Sequence, residues 1–298
     1  MKILCIGGSA YDITLPCDNY PIENNKYKIK DVITSSGGSA NNAAYLLGLW
    51  QNNVTLISPI GDDELGKSII KEQNSIGVNT NFMEIKSIPT TTSYIINNLS
   101  NGSRTIITNR HPLMNLSSDI SKIPNDFDYI LTDGNYYEFT KKVIEKNFQA
   151  KVIIDAGRIS DDTINLCHLA DYIVCSNDFA KSCSKIDFSY DDIESIKKSY
   201  DILNNTFKGQ IIITLESAGS FTKIDNDYYL IPSIKVETVD TTGAGDIYHG
   251  AFTYFLSHNY SLLDTMKLSN IAGALSVSKI GSKNSIPNLD EVFKSNGL

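Results

Sequence analysis

The sequence is poor in the residues that build metal cages and disulfide frames. Its 298 residues include five cysteines and four histidines. Cys5, Cys17, Cys167, Cys175 and Cys183 are odd in number and show no CxxC spacing. They read as reduced thiols of a cytoplasmic protein, which excludes a disulfide scaffold or a zinc ribbon. His111, His168, His249 and His258 show no ligand spacing, and His249 reads as a packed helix side chain. No Lys/Arg cluster occurs, and the net charge is −8 with a pI near 5.0. Nucleic acid and membrane are therefore not expected partners. No apolar run approaches the roughly 20 residues needed to cross a bilayer. The run Met1-Lys2-Ile3-Leu4-Cys5-Ile6 is too short for a secretory h-region. Repeats, low-complexity tracts and Pro/Gly-rich linkers are missing too, so the expectation is one domain over residues 1–298.

What is there has the rhythm of an α/β protein. Residues 2–6 form a short apolar run closed by Gly7-Gly8, the pattern of a buried first strand. The turn lacks GxGxxG, which excludes a dinucleotide fingerprint. Apolar runs at 128–131, 151–155, 170–175 and 210–215 alternate with helix-like stretches at 139–148 and 191–204, as βαβ units of a parallel sheet do. Asp133 and Asp155, at strand ends, are given no role. Residues 13–17 and 28–34 read as two short strands. Residues 90–97 and 104–108 read as a hairpin about Ser100-Asn101-Gly102-Ser103.

The richest stretch is Asp240-Thr241-Thr242-Gly243-Ala244-Gly245-Asp246, followed by residues at helical spacing (Ile247, Ala251, Phe255). The first amides of a helix lack partners within it and carry partial positive charge. Gly243, Ala244 and Gly245 leave room for an anion to reach those amides. A carboxylate, Asp246, follows at once. An anion cradle beside an acid suits phosphoryl transfer, the amides holding phosphate charge while the acid takes a hydroxyl proton.

Residues 240–252 resemble the C-terminal signature of the ribokinase (PfkB) family of carbohydrate kinases. Gly37-Gly38-Ser39-Ala40-Asn41-Asn42, with Gly61 beyond it, resembles that family's N-terminal signature. The resemblance implies a Rossmann-like three-layer α/β/α fold with a mainly parallel sheet. It also implies a small β lid, placed at about 13–35 and 90–109, which can pair two copies as a homodimer. It implies Asp246 as catalytic base with Gly243, Ala244 and Gly245 as the anion hole. Asp12, Gly37, Gly38 and Asn42 would bind sugar hydroxyls, and Asn177, Thr214, Gly219 and Asn270 would line the nucleotide site. ATP and Mg²⁺ follow as cosubstrate and ion. K⁺ is a further ion, at Asp240, Thr242, Gly281 and Ser285. The substrate expected is a ketose or a ribose-like sugar, residues 95–98, 104–106 and 247–251 being similar to ketohexokinase and sulfofructose kinase. Lys26 and Asn109 would then meet an anionic tail.

Two departures stand against the resemblance. Asn177-Asp178-Phe179-Ala180 lacks the Glu of the family's Asn-x-x-Glu, and Thr214-Leu215-Glu216-Ser217-Ala218-Gly219 carries Glu216 where the family has Gly. They motivate an alternative, a non-catalytic or weakly active sugar- or nucleotide-binding member. A second alternative is a P-loop enzyme. Gly61-Asp62-Asp63-Glu64-Leu65-Gly66-Lys67-Ser68 satisfies GxxxxGK[ST] between strand-like and helix-like runs. Its three acids would repel phosphate, so the match reads as accidental.

Overall fold

The computed structural model describes residues 1–117, 119–279, 281 and 283–297. Strands β1 (Lys2–Ile6), β2 (Ala10–Cys17) and β3 (Ile33–Gly37) lead into helix α1 (Ser39–Leu49). Next come β4 (Asn53–Ile57), β5 (Pro59–Gly61), α2 (Glu64–Ser75), β6 (Glu84–Lys86), β7 (Thr92–Asn98) and β8 (Ser103–Asn109). The βα alternation then runs β9 (Tyr129–Thr132), α3 (Tyr137–Lys146), β10 (Lys151–Ala156), α4 (Asp161–Cys167), β11 (Tyr172–Ser176), α5 (Asn177–Ser184), α6 (Ile193–Thr206) and β12 (Gln210–Thr214). A hairpin, β13 (Ser220–Ile224) and β14 (Asp227–Ile231), precedes α7 (Ala244–Ser257), α8 (Leu262–Ser276) and α9 (Leu289–Ser295).

The large sheet has the order β14-β13-β12-β11-β10-β9-β1-β4. Its members from β12 to β4 pair in parallel, and the β13–β14 hairpin closes one edge antiparallel. Strands of such a sheet are buried on both faces, which is why they read as continuous apolar runs. Ile3 and Cys5 point to one side with Leu131, Ile153, Val174 and Ile212, under α1, α7 and α8. Leu4 and Ile6 point to the other with Ile130, under Phe139 and Val143 of α3. This is the three-layer α/β/α arrangement. Phe252 and Phe255 of α7 are fully buried, each contributing roughly 1.5–3 kcal/mol.

A second sheet has the order β3-β2-β7-β8. Its hairpin, β7 with β8, falls where the pattern places it. The strand expected at 28–34 is corrected to 33–37, where Ala10 to Thr14 pair with Gly37 to Ile33. Residues 18–32 carry no strand, because their polar sequence offers no alternating apolar face to bury.

Helices α1 and α7 cross closely, Gly250 facing the backbone of Ala43 at about 3.2 Å from where a Cβ would stand. That contact sets the two motif-bearing helix starts side by side.

Candidate active site

The start of α7 differs from most helix starts in the molecule. Side chains of Asp63, Ser160, Ser176, Asp192 and Ser261 cap α2, α4, α5, α6 and α8. No side chain caps α7, whose preceding residue is Gly243 in the left-handed region at φ 79°. A glycine there costs little, and it leaves the first turn open to an anion. Asp246 stands in that turn, half-buried.

Asn42, one turn into α1, donates from Nδ2 to Asp246 Oδ2 at 2.7 Å. Two motifs separated by 204 positions are thus joined by one hydrogen bond. The Asn42 Oδ1 is buried without a partner, an acceptor left for something the chain does not supply. Asp12, on β2 opposite Ser35 and Ser93, is only 6% exposed. Its carboxylate lies against Gly37, so close that a Cβ there would fall 1.9 Å from Oδ2. Burial pushes the Asp12 carboxyl up to about 6, with Ser93 pulling it back through a hydrogen bond and the charge of Asp246 adding to the rise. Gly38 starts α1 against the backbone of Gly8. Asp12, Gly37, Gly38, Asn42 and Asp246 therefore converge at the C-terminal end of β1, where open α/β sheets hold their ligands.

Lys26 and Asn109 are not brought there. Lys26 lies exposed on the strandless 18–32 connection, and Asn109 is exposed at the end of β8. Among the described residues no hydrogen bond or ion pair joins either to Asp12, Asn42 or Asp246.

The nucleotide-side candidates also gather. Asn177 follows β11, whose Ser176 pairs with Thr214 at the end of β12. Gly219 presses on the Ile231 carbonyl, which also accepts from Asn270 Nδ2 at 2.9 Å. The Asn177 amide donates to the Tyr190 hydroxyl at 2.7 Å. Tyr190 also shares a hydrogen bond with Glu216, and burial together with that acid pushes its phenol well up. Glu216 sits at φ 50°, a conformation that costs a non-glycine residue about 1–2 kcal/mol. Ala180 is fully buried in the core beside Phe179, so this position carries packing instead of a carboxylate.

Asp240 accepts from Thr242 N and Gly281 N, both at 2.9 Å, and Ser285 N donates to Gly281 O at 3.2 Å. The four cation candidates are one cluster. The Thr242 hydroxyl is buried without a partner, which leaves an oxygen donor suited to a hard cation.

The P-loop look-alike is closed by its own acid. Asp63 accepts from Gly66 N at 2.9 Å, Thr90 N at 2.8 Å and Thr90 Oγ1 at 2.6 Å, so the start of α2 is already capped. Lys67 pairs with Glu64 in solvent. Lys67→Ala should leave kcat/KM within about twofold of the parent, as surface substitutions do. Loss of turnover in a steady-state assay would revive that reading.

Sequence reasoning missed the residues that act across long separations. Asp133, partly buried, accepts from Gly8 N at 2.6 Å and from the backbone of Ala40, tying the β1–β2 turn to the start of α1. Burial pushes its carboxyl up while those amides hold it down. Asp155 lies 3.3 Å from His249 Nε2, and burial pushes its carboxyl up to about 6. Lys283 is buried with its ammonium over the Tyr45 ring and donates to Asn41 O at 3.2 Å. Burial draws its pKa down to about 7. Arg104 of β8 donates to the Thr241 hydroxyl, linking the second sheet to the loop before α7. The visible signal was an acid at the end of β9 and of β10. The partners were invisible.

Two carboxylates, Asp12 and Asp246, beside an uncapped helix start on a three-layer α/β frame form an arrangement suited to phosphoryl transfer. The sequence matches the description "pfkB family carbohydrate kinase" over residues 1–289. It is 26% identical to the ribokinase of Lactococcus lactis subsp. lactis (strain IL1403) over 299 residues, 98% of this chain and 95% of that one. It is 23% identical to the deoxyribokinase of Salmonella typhi, with 98% and 97% covered. The structure of Arabidopsis thaliana ribokinase complexed with ribose and ATP superposes with a TM-score of 0.83 at 21% identity, over 98% of this chain and 97% of that one. The chain belongs to the pfkB family and is a carbohydrate kinase.

Proposed function

We propose that this kinase transfers the terminal phosphoryl group of ATP to a hydroxymethyl group of a ribose-like sugar. The observation that carries the reading is the Asn42–Asp246 hydrogen bond, which sets a sugar-side amide on the acid of the anion cradle. Asp246 takes the proton from the attacking hydroxyl, and the first amides of α7 hold the charge that develops on the phosphoryl oxygens. Asp12, Gly37, Gly38 and Asn42 orient the sugar; Asn177, Thr214, Gly219 and Asn270 hold the nucleotide. Mg²⁺ supplies charge neutralisation on the phosphates. Among the described residues no three His, Cys, Asp or Glu side chains gather to hold a metal, which fits an ion carried mainly by phosphate and water. The loops of Asp240, Thr242, Gly281 and Ser285 would hold K⁺. The named relatives favour a pentose over a ketohexose.

The second sheet serves as a lid over the sugar, tied to the catalytic loop by Arg104 and Thr241. Tyr94 and Ile107, opposite each other on β7 and β8, leave apolar surface exposed, which suits a second copy. The protein works in the cytoplasm. The five cysteines are free thiols in the structure, and among the described residues no helix is long and apolar enough to cross a membrane.

A coupled ADP-release screen over ribose, deoxyribose, ketohexoses and nucleosides, with and without K⁺, tests the reading. A pentose should show the highest kcat/KM, by at least roughly tenfold over a ketohexose, the scale of about 1.4 kcal/mol in differential binding. Sugar-induced thermal shifts without ADP release would instead favour the non-catalytic reading that Ala180 and Glu216 motivate.

The raised Asp12 carboxyl gives a pH signature. Below about 6 the acid is protonated, so sugar KM should rise as pH falls through that value, with the inflection absent in Asp12→Asn. The folded carboxyl sits above its ordinary 3.8, so ionising it costs stability as pH rises from that value through about 6. Asp12→Asn should therefore melt no lower than the parent at pH 8, while binding sugar poorly at every pH. A lower melting temperature would contradict the burial argument.

A further inference from the structure

His249 lies one turn beyond Gly245 on α7, and its ring is almost wholly enclosed, at 4% exposure. Three oxygen acceptors face it. Nδ1 is 2.5 Å from Gly245 O, Nε2 is 3.1 Å from Val174 O on β11, and Nε2 is 3.3 Å from Asp155 Oδ1 on β10. Carbonyl oxygens have no proton to give, so both contacts draw a hydrogen from the ring, Nδ1–H toward Gly245 O and Nε2–H toward Val174 O. Gly245 is the middle residue of the anion cradle and the neighbour of Asp246. The imidazole therefore fastens the most permissive residue of that turn to the sheet, through Val174 and Asp155. Apart from the backbone of α7 itself, no atom stands within 4 Å of where a Cβ on Gly245 would lie, and the residue is exposed.

We propose that His249, braced by Asp155, is a positioning residue for Asp246 and the amides of the α7 first turn. The ring touches neither sugar nor phosphate. Its work is to keep an uncapped, glycine-containing turn in the one geometry that presents amides to the phosphoryl group and a carboxylate to the hydroxyl. A misplacement of about 1 Å in such a constellation can cost about 10²-fold in rate. The proposal rests on the kinase reading above for its catalytic consequence.

Two variants separate this role from mere packing. Asn places an N–H close to where Nδ1 stands, whereas Leu fills the space without a donor. Both lose the contacts with Val174 and Asp155, so both should melt below the parent by similar amounts. His249→Leu should lower kcat by at least roughly tenfold with KM for ATP and sugar within about threefold, since only the transition-state geometry is disturbed. His249→Asn, which keeps the donor to Gly245 O but loses the brace to the sheet, should lose less, retaining at least roughly threefold more kcat than His249→Leu. Hydrogen exchange at the amides of residues 247–249, which bond back onto the first turn, should be at least roughly tenfold faster in His249→Leu than in His249→Asn, an effect of the lost local restraint. If both variants lose kcat in step with melting temperature, or exchange at 247–249 is unchanged in Leu, the role is packing alone. The exchange measurement needs no turnover. A parent that phosphorylates no sugar would count against the kinase reading, and the exchange result would still decide the positioning claim.

Discussion

Asp246→Asn should lower kcat by at least roughly 10²-fold, the lower range for loss of a general base. The amide keeps an oxygen where Asp246 Oδ2 accepts from Asn42, so the α1–α7 contact survives. Folding stability should stay within ~0.5 kcal/mol of the parent, as for substitutions that keep their neighbours' partners. KM for ATP should move little, because the backbone amides of the turn are untouched. The measurement is steady-state kinetics with a melting curve on the same sample. Retained turnover would show that another group takes the proton. Lost turnover with a large drop in melting temperature would make the acid a structural one.

Gly37→Ala should be almost as damaging on the sugar side. The added Cβ would stand 1.9 Å from Asp12 Oδ2 and 2.3 Å from its Cγ, distances no pair of such atoms tolerates. Either Asp12 leaves its place or β2 and β3 part. Overpacking of this kind costs about 1–3 kcal/mol. The displaced carboxylate should lower kcat/KM for the sugar by about 10²-fold, while KM for ATP stays within about twofold. Isothermal titration with sugar alone separates the outcomes. Unchanged sugar affinity would mean that Asp12 does not hold the sugar.

The parts of the molecule that were legible in the sequence are those with local periodicity. The first strand, the α1 start, the β7–β8 hairpin and α7 all announce themselves by spacing and by glycines where a helix begins. The 28–34 strand misled because an extended, polar segment reads alike whether or not it finds a partner, and β3 starts only at Ile33. His249 was legible as a packed helix side chain and is buried, whereas Asp133, Asp155, Lys283 and Arg104 were missed because their meaning lies in contacts across tens to hundreds of positions. The Gly61–Ser68 stretch failed in the opposite sense, with motif and context both right. Only the geometry of Asp63, turned inward onto Gly66 and Thr90, reveals that its amides are taken.

The most direct test is a structure of the kinase with its preferred sugar and a non-hydrolysable ATP analogue. The terminal phosphate should rest on the backbone amides of residues 244–246, with a sugar hydroxyl between it and the Asp246 carboxylate. A terminal phosphate bound elsewhere, at residues 61–68 for instance, would contradict the account.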